Sequence, residues 1–349
     1  MPHAVPPSAR RTAIVAVLSV IVMIVAAGAA LVIGVSSVSG TAAIGDVLSH
    51  LGIGHTSLND VQDAIVWDLR APRVAMALVV GAMLAVAGGS YQGVFRNPLA
   101  DPYLLGIAAG AGLGATIAIT RIGNPASSGI PTFTPWLAFG GAMAAVALTW
   151  SIGGRGGRNT AATLVLAGVA VSSLLTSVQT YLQQSSSSSS IESVYLWLLG
   201  SLSGASWAQV WLIIPYVVMC TLVCIASGRA LDVLSVGDME SRALGLPVSR
   251  VRFLVIVASS FGTAAVVSVV GLVGFVGLIV PHVVRLTVGT SYRRILPLCV
   301  TFGATFLVLA DSVARSALSG AEIPLGVVTA LIGAPVFVII LNISRRPTT

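Results

Sequence analysis

An all-α, polytopic membrane protein with about ten transmembrane helices is what this sequence predicts, on three observations. Of its 349 residues 56% are hydrophobic and only 8% charged, whereas a soluble domain carries about 25% charge. Apolar runs of roughly 18 residues or more recur along the whole length, the signature of repeated membrane crossings. The runs are continuous and rich in glycine, without the ten-residue alternation of a barrel, so helices must satisfy the backbone within each segment.

The elements follow in order. Residues 1–12 form a short polar tail. The run "RRTAIVAVLSVIVMIVAAGAALVIGV" then supplies about 22 apolar residues, more than the 7–15 of a signal-peptide core, and reads as an uncleaved first span. Further spans are expected near 74–94, 105–120, 136–152, 160–181, 208–227, 253–271, 273–286, 297–315 and 326–343. The short segment 273–286 must lie where protein, not lipid, covers its ends. Residues 13–343 thus make one transmembrane domain, interrupted by a long connection at 228–252 and followed by a tail at 344–349. In "LLGIAAGAGLGA" Gly106, Gly110 and Gly114 repeat at four-residue spacing, which lets helix backbones approach where lipid offers no hydrophobic drive.

The charge is as informative as the hydropathy. The formal net charge is +7, but the basic residues flank apolar runs and do not cluster on a soluble face, so nucleic acid is not the partner. With an even number of spans and an internal N-terminus, fourteen arginines fall inside: 10, 11, 96, 155, 158, 229, 242, 250, 252, 285, 293, 294, 345 and 346. Only Arg70, Arg73, Arg121 and Arg315 fall outside. That asymmetry sets the orientation and puts both termini in the cytoplasm. Every basic residue is arginine. A phosphate-binding loop needs its lysine, so any use of ATP belongs to a partner.

A few polar residues interrupt the apolar text. "FRNPLADPYLLG", residues 95–106, falls between the second and third spans. Pro98 cannot continue the incoming helix and biases Asn97 away from helical geometry. Asp101 suits an N-cap with Pro102 at the first helical position, so a tight reversal is expected, with Arg96 in water. Cys220, Cys224 and Cys299 sit in apolar runs and read as small core residues, with neither disulfide nor metal spacing. Asp311 is the only acid well inside a span; a salt bridge with Arg315, one turn on, accounts for it more simply than a proton relay. His282 follows Pro281 near the end of a short span, where helix-end hydrogen bonding is the plain reading. His50 and His55, five apart in an outer loop, are too little for a metal site. The serine run in "QQSSSSSSIESVYLWLLGSLSGASW" reads as flexible spacer, and Trp197, Trp207 and Trp211 suit an interfacial belt.

The stretch "GSYQGVFRNPLADPYLLGIAAGAGLG" resembles the signature of the permease family of ATP-binding-cassette (ABC) importers for iron-siderophores, haem and cobalamin. "LRAPR" at 69–73, "GFVGLIVPHVVRL" at 274–286 and "ADSVARSALSGAEIPLGVVTALIGAPVF" at 310–337 match the same family in consistent order. Arg96, Asn97, Pro98, Asp101 and Pro102 carry the signature turn. The resemblance implies ten spans in the bacterial cytoplasmic membrane and a second permease subunit, identical or sister. It also implies two cytoplasmic ATPase subunits holding the ATP and magnesium, and an extracytoplasmic substrate-binding protein. No cofactor, metal or catalytic residue is expected on this chain. For the amphipathic connection, with Leu231, Leu234, Met239, Ala243 and Leu244 among charges, a helix lying on lipid is the bland alternative. The resemblance makes it the coupling segment, with the ATPase contact on Gly237, Asp238, Met239, Glu240, Arg242, Ala243, Leu244, Gly245, Leu246 and Pro247. It implies that Arg70, Arg73 and Arg315 meet acids on the binding protein; local pairing of Arg70 with Asp68 and of Arg315 with Asp311 is the alternative. A short helix around "SVYLWLLG" would border the outer mouth, with Tyr195 and Trp197 as gate candidates.

Two other classes compete. An ion-coupled secondary transporter wants acids near the midplane, and only Asp311 is available. A membrane enzyme wants clustered histidines or carboxylates, which the text lacks. A ferric siderophore is the expected cargo on the family's commonest usage, with cobalamin and haem as alternatives.

Overall fold

The computed structural model describes residues 9–33, 39–50, 52–53, 55–122, 133–153, 161–318 and 321–344, and among them all regular structure is helical. Most of both terminal tails, with Arg155, Arg158, Arg345 and Arg346, lies outside the described residues. The helices are α1 Ala9–Val32, α2 Gly40–His50, α3 Asp60–Ala64, α4 Ala71–Phe95, α5 Ile107–Ile117, α6 Thr134–Gly153, α7 Ala161–Gln184, α8 Ser188–Leu198, α9 Trp207–Ala226, α10 Gly228–Leu234, α11 Asp238–Ala243, α12 Val248–Val270, α13 Val276–Val288, α14 Tyr292–Ser316 and α15 Leu325–Ser344.

Every apolar run expected to span is a helix. Among the described residues seven are long and apolar enough to cross a membrane: α1, the continuous helix Asp60–Phe95 that contains α4, α6, α7, α9, α12 and α14. Three apolar helices are shorter, at Ile107–Ile122, Val276–Val288 and Leu325–Ile339. α13, with 13 residues, rises about 20 Å, short of a hydrocarbon core of about 30 Å. It enters through the non-helical stretch Gly271–Phe275, flanked by α8 and α15, where protein covers the irregular backbone.

α4 is the hub. Nearly all of its residues from Val80 to Phe95 are buried, and it packs on α9, α12, α13 and α14. Its small residues explain how: a side chain on Gly81 would strike the carbonyl of Gly303 on α14, and one on Gly88 the backbone of Gly277 on α13. Small–small contact is how helices associate when lipid is as apolar as leucine. The expected glycine face on α5 holds at two of its three positions. Gly110 meets the backbone of Gly141 and Gly114 that of Leu137 on α6, whereas Gly106 is the left-handed joint before α5. Gly81→Leu should therefore pry α4 from α14. We expect a loss of about 1–3 kcal/mol, typical of overpacking, read as a lower melting temperature of the detergent-solubilised chain.

Three expectations are corrected here. The serine run is no spacer: Ser187 caps α8, and Ser188 to Ser190 form its first turn, because the Ser187 hydroxyl accepts from the helix-start N–H of Ser190. α12 begins at Val248, so residues 248–252 belong to a long helix and not to the connection. His282 sits in the middle of α13, where helix-end bonding is not available. The cysteines are buried and free, as read.

Candidate coupling face and outer rim

One end of the helical assembly carries the connection between α9 and α12, and its fold divides the apolar positions in two. Leu231 and Leu234 are fully buried on the inner face of α10; Leu231 packs where a side chain on Gly93 would sit. Asp232 fixes α10 to the start of α14, taking a 2.7 Å hydrogen bond from the Ser291 hydroxyl and another from the Tyr292 N–H. An acid there also complements the positive end of the α14 dipole. The chain then turns at Gly237, whose φ of +133° only glycine adopts easily. The Ser241 hydroxyl donates back to the Val233 carbonyl at 2.8 Å. α11 is thereby pinned with its other face outward: Met239 is 83% exposed and Leu244 72%. Gly245, also left-handed at φ +83°, and Pro247 return the chain to α12.

α11 is tied to the signature turn by charge. Asp238 accepts two hydrogen bonds of 3.1 Å from the buried Arg252 and lies 3.3 Å from Arg96. Arg96 is left-handed, with φ 50°. After it Asn97 and Asp101 organise the reversal as the sequence suggested. The Asn97 side chain accepts from the Leu99 N–H at 2.9 Å, and Asp101 from the Tyr103 N–H at 2.8 Å, with Pro102 at the first position of a 3-10 turn, Pro102–Leu105. Burial raises the Asp101 carboxyl to about 6, partly offset by that N–H. Tyr103 then reaches inward: its hydroxyl donates to the Val273 carbonyl at 3.0 Å and accepts from the Val273 N–H at 3.2 Å. In parallel, Gln92 donates to the Gly277 carbonyl at 3.2 Å and accepts from Arg285 at 3.0 Å. Tyr103 and Gln92 were not singled out from sequence, and Arg252 and Arg285 entered only the charge count. Each is a polar group at the edge of an apolar run with a partner more than ten residues away, so no spacing marks it.

The Val273 stretch belongs to a joint of three elements. The loop after α8 donates from the Ser201 N–H to the Val270 carbonyl at 2.9 Å. Its Gly200 and Leu199 carbonyls accept from the Leu325 and Gly326 N–H groups at 3.0 and 2.9 Å. Beside it lies an open apolar recess of about 570 Å³ lined by Leu198, Leu199, Leu272, Val327, Leu331 and Ala334. Of the gate candidates, Trp197 is half-buried and turns its carbonyl toward Gly271, while Tyr195 projects outward.

At the opposite end the three rim arginines turn inward. Arg70 donates to the Leu31 and Val32 carbonyls at 2.9 and 3.3 Å, and Arg315 to the Ala30 and Ile33 carbonyls at 3.0 Å. Both cap the C-terminal end of α1, where carbonyls lack helix partners and the dipole favours cations. Asp311 forms ion pairs with Arg315 at 3.1 Å, as the spacing suggested, and with Arg73 at 2.9 Å. Arg73 also grips Glu322 at 2.8 Å. That hydrogen bond holds the Glu322 carboxyl below its usual range, against partial burial. Glu322, missed from sequence, is the most exposed member of the cluster at 44%.

A family model described as the FecCD transport family matches residues 12–342, nearly the whole chain. The chain belongs to the FecCD transport family. FecCD relatives include the cobalamin import system permease protein BtuC of Halobacterium salinarum, 40% identical over 81% of this chain and 74% of its own length. The vitamin B12 import system permease protein BtuC of Escherichia coli is 37% identical over 81% of this chain and 85% of its own. Among solved structures, an inward-facing metal-chelate type ABC transporter superposes with a TM-score of 0.81 at 30% identity, covering 93% of this chain and 98% of that one. PsaBC from Streptococcus pneumoniae, at a TM-score of 0.57 and 19% identity, shares the fold. This FecCD chain is a membrane-embedded permease of an ABC importer.

Proposed function

We propose that the chain is one permease subunit of a complete importer in a bacterial cytoplasmic membrane. A second permease subunit, identical or sister, encloses the path. Two cytoplasmic ATPase subunits, which hold ATP and magnesium, dock on Gly237–Pro247, and a binding protein delivers cargo to the rim of Arg70, Arg73 and Arg315. The observation that supports this reading most is the α11 face: Met239 and Leu244 are exposed on a short helix and its C-cap, anchored through Asp238 to Arg96 and Arg252. A push on α11 has a continuous polar route through the signature turn and Tyr103 to the α8–α12–α15 joint, where Tyr195 and Trp197 border the path. At the rim, Arg73 offers the readiest handle, because an incoming acid can replace the exposed Glu322; such pairs steer and register more than they add affinity.

The cargo is a large metal chelate. The family's commonest usage favours ferric siderophores, and the names of the relatives bring cobalamin beside them. Vesicles carrying the permease, its co-purifying ATPase and its binding protein should accumulate one of these on adding ATP. A Gly245→Val, Pro247→Ala double variant should still hydrolyse ATP but import at least about tenfold more slowly, a change worth ~1.4 kcal/mol. Uphill accumulation by the permease alone without nucleotide would refute the proposal.

A further inference from the structure

The geometry points to a divalent-cation site held by Asp46, His50 and Asp63, at the same end of the fold as the rim arginines. The histidine spacing suggested only His50 and His55; the structure instead gathers one ligand atom each from Asp46, His50 and Asp63 within 4.8 Å of one another. Asp46 and His50 are one turn apart on α2. Asp63 is brought opposite by α3, whose start is ordered by a reciprocal Asn59–Gln62 cap.

The lone pairs make the case. The His50 Nδ1 lies 3.2 Å from the Asp46 carbonyl oxygen. A carbonyl only accepts, so Nδ1 carries the hydrogen, and a neutral ring keeps its lone pair on Nε2. That Nε2 faces the Asp63 Oδ1 at 3.6 Å. Asp46 is fully buried; its Oδ1 takes a 2.6 Å hydrogen bond from the Thr56 hydroxyl. Its Oδ2, and the Asp63 Oδ1, are buried with no hydrogen-bond partner. Three electron-pair donors thus converge with no donor hydrogen among the described residues to satisfy them, an arrangement that costs free energy unless a cation sits between.

The surroundings suit a metal. A ligating imidazole commonly gives its other N–H to a carbonyl, which fixes the tautomer, and here that carbonyl is Asp46's own. Trp67 stacks on the His50 ring at 4.1 Å between centroids and holds its plane. One imidazole and two carboxylates suit zinc and neighbouring transition ions, while calcium and magnesium want six or more oxygens. Two ligands of one tetrahedral zinc stand roughly 3.4 Å apart, close to the His50–Asp63 separation of 3.6 Å. His50 and Asp63 are each about a third exposed, which leaves a position for water. The ion would clasp α2 to the segment that leads into α4.

The test uses the full-length, tag-free chain in detergent, stripped with chelator and titrated with zinc or cobalt(II). We expect one ion per chain, a visible absorption band from cobalt in a tetrahedral site, and quenching of tryptophan emission that Trp67→Phe abolishes. His50→Gln, which leaves the buried groups untouched, and Asp46→Asn should each weaken zinc binding at least about tenfold. His50→Gln should melt like the metal-free wild type, which separates lost ligation from lost fold. No binding at about 100 µM zinc, equal affinity in His50→Gln, or displacement of zinc by equimolar magnesium would each overturn the site.

Discussion

Asp311→Ala is expected to cost the fold roughly 3–5 kcal/mol, the range for removing one partner from a buried ion pair. The carboxylate is 2% exposed and stands between Arg73 and Arg315. Without it two guanidiniums face each other, with only the surface carboxylate of Glu322 left to offset them. Arg315 also holds the Ala30 and Ile33 carbonyls, so the loss should spread to α1. Thermal melting of the solubilised chain reads this directly, and Asp311→Asn, which keeps one acceptor oxygen, should fall between wild type and alanine. A wild-type melting curve for Asp311→Ala would show that the cluster contributes nothing. Glu322 adds a pH dependence of definite sign. Its folded carboxyl titrates below the usual value, so its contribution is complete above the unfolded value and is lost as acidification passes the folded one.

Met239→Asp combined with Leu244→Asp is expected to release the ATPase without harming the permease. Both side chains are exposed, so the monomer gives up little, whereas an apolar residue acting as an interface hot spot carries at least roughly 2 kcal/mol, or about 30-fold in affinity. Affinity measured between purified subunits in detergent should fall by that factor at an unchanged melting temperature. Leu231→Asp is the contrasting variant: its side chain is sealed on the inner face of α10, so the chain itself should fail to fold. Wild-type affinity in the double variant would place the ATPase elsewhere.

The helices were legible because lipid imposes a crude, long-range rule on the text. All ten apolar runs became helices near their expected bounds, and the Asn97–Pro102 turn was readable from proline and capping chemistry alone. What escaped was whatever depends on partners distant in the chain. The amphipathic connection announced its apolar residues but not that Leu231 and Leu234 face inward while Met239 and Leu244 face out. The rim arginines announced a break in the charge rule, but not that Arg70 and Arg315 serve the carbonyls of α1, since backbone acceptors have no letter. The serines at 188–190 read as spacer because composition does not distinguish a capped helix from a loop.

The glycine contacts of α4 have a mechanical consequence. With Gly81 seated on Gly303 and Gly88 on Gly277, main chain lies directly on main chain, and no long side chain is left there to swing and absorb sliding. α4, α13 and α14 must travel together as one stiff lever. Whatever opens this protein to one side and then the other has to bend at the seams around that lever.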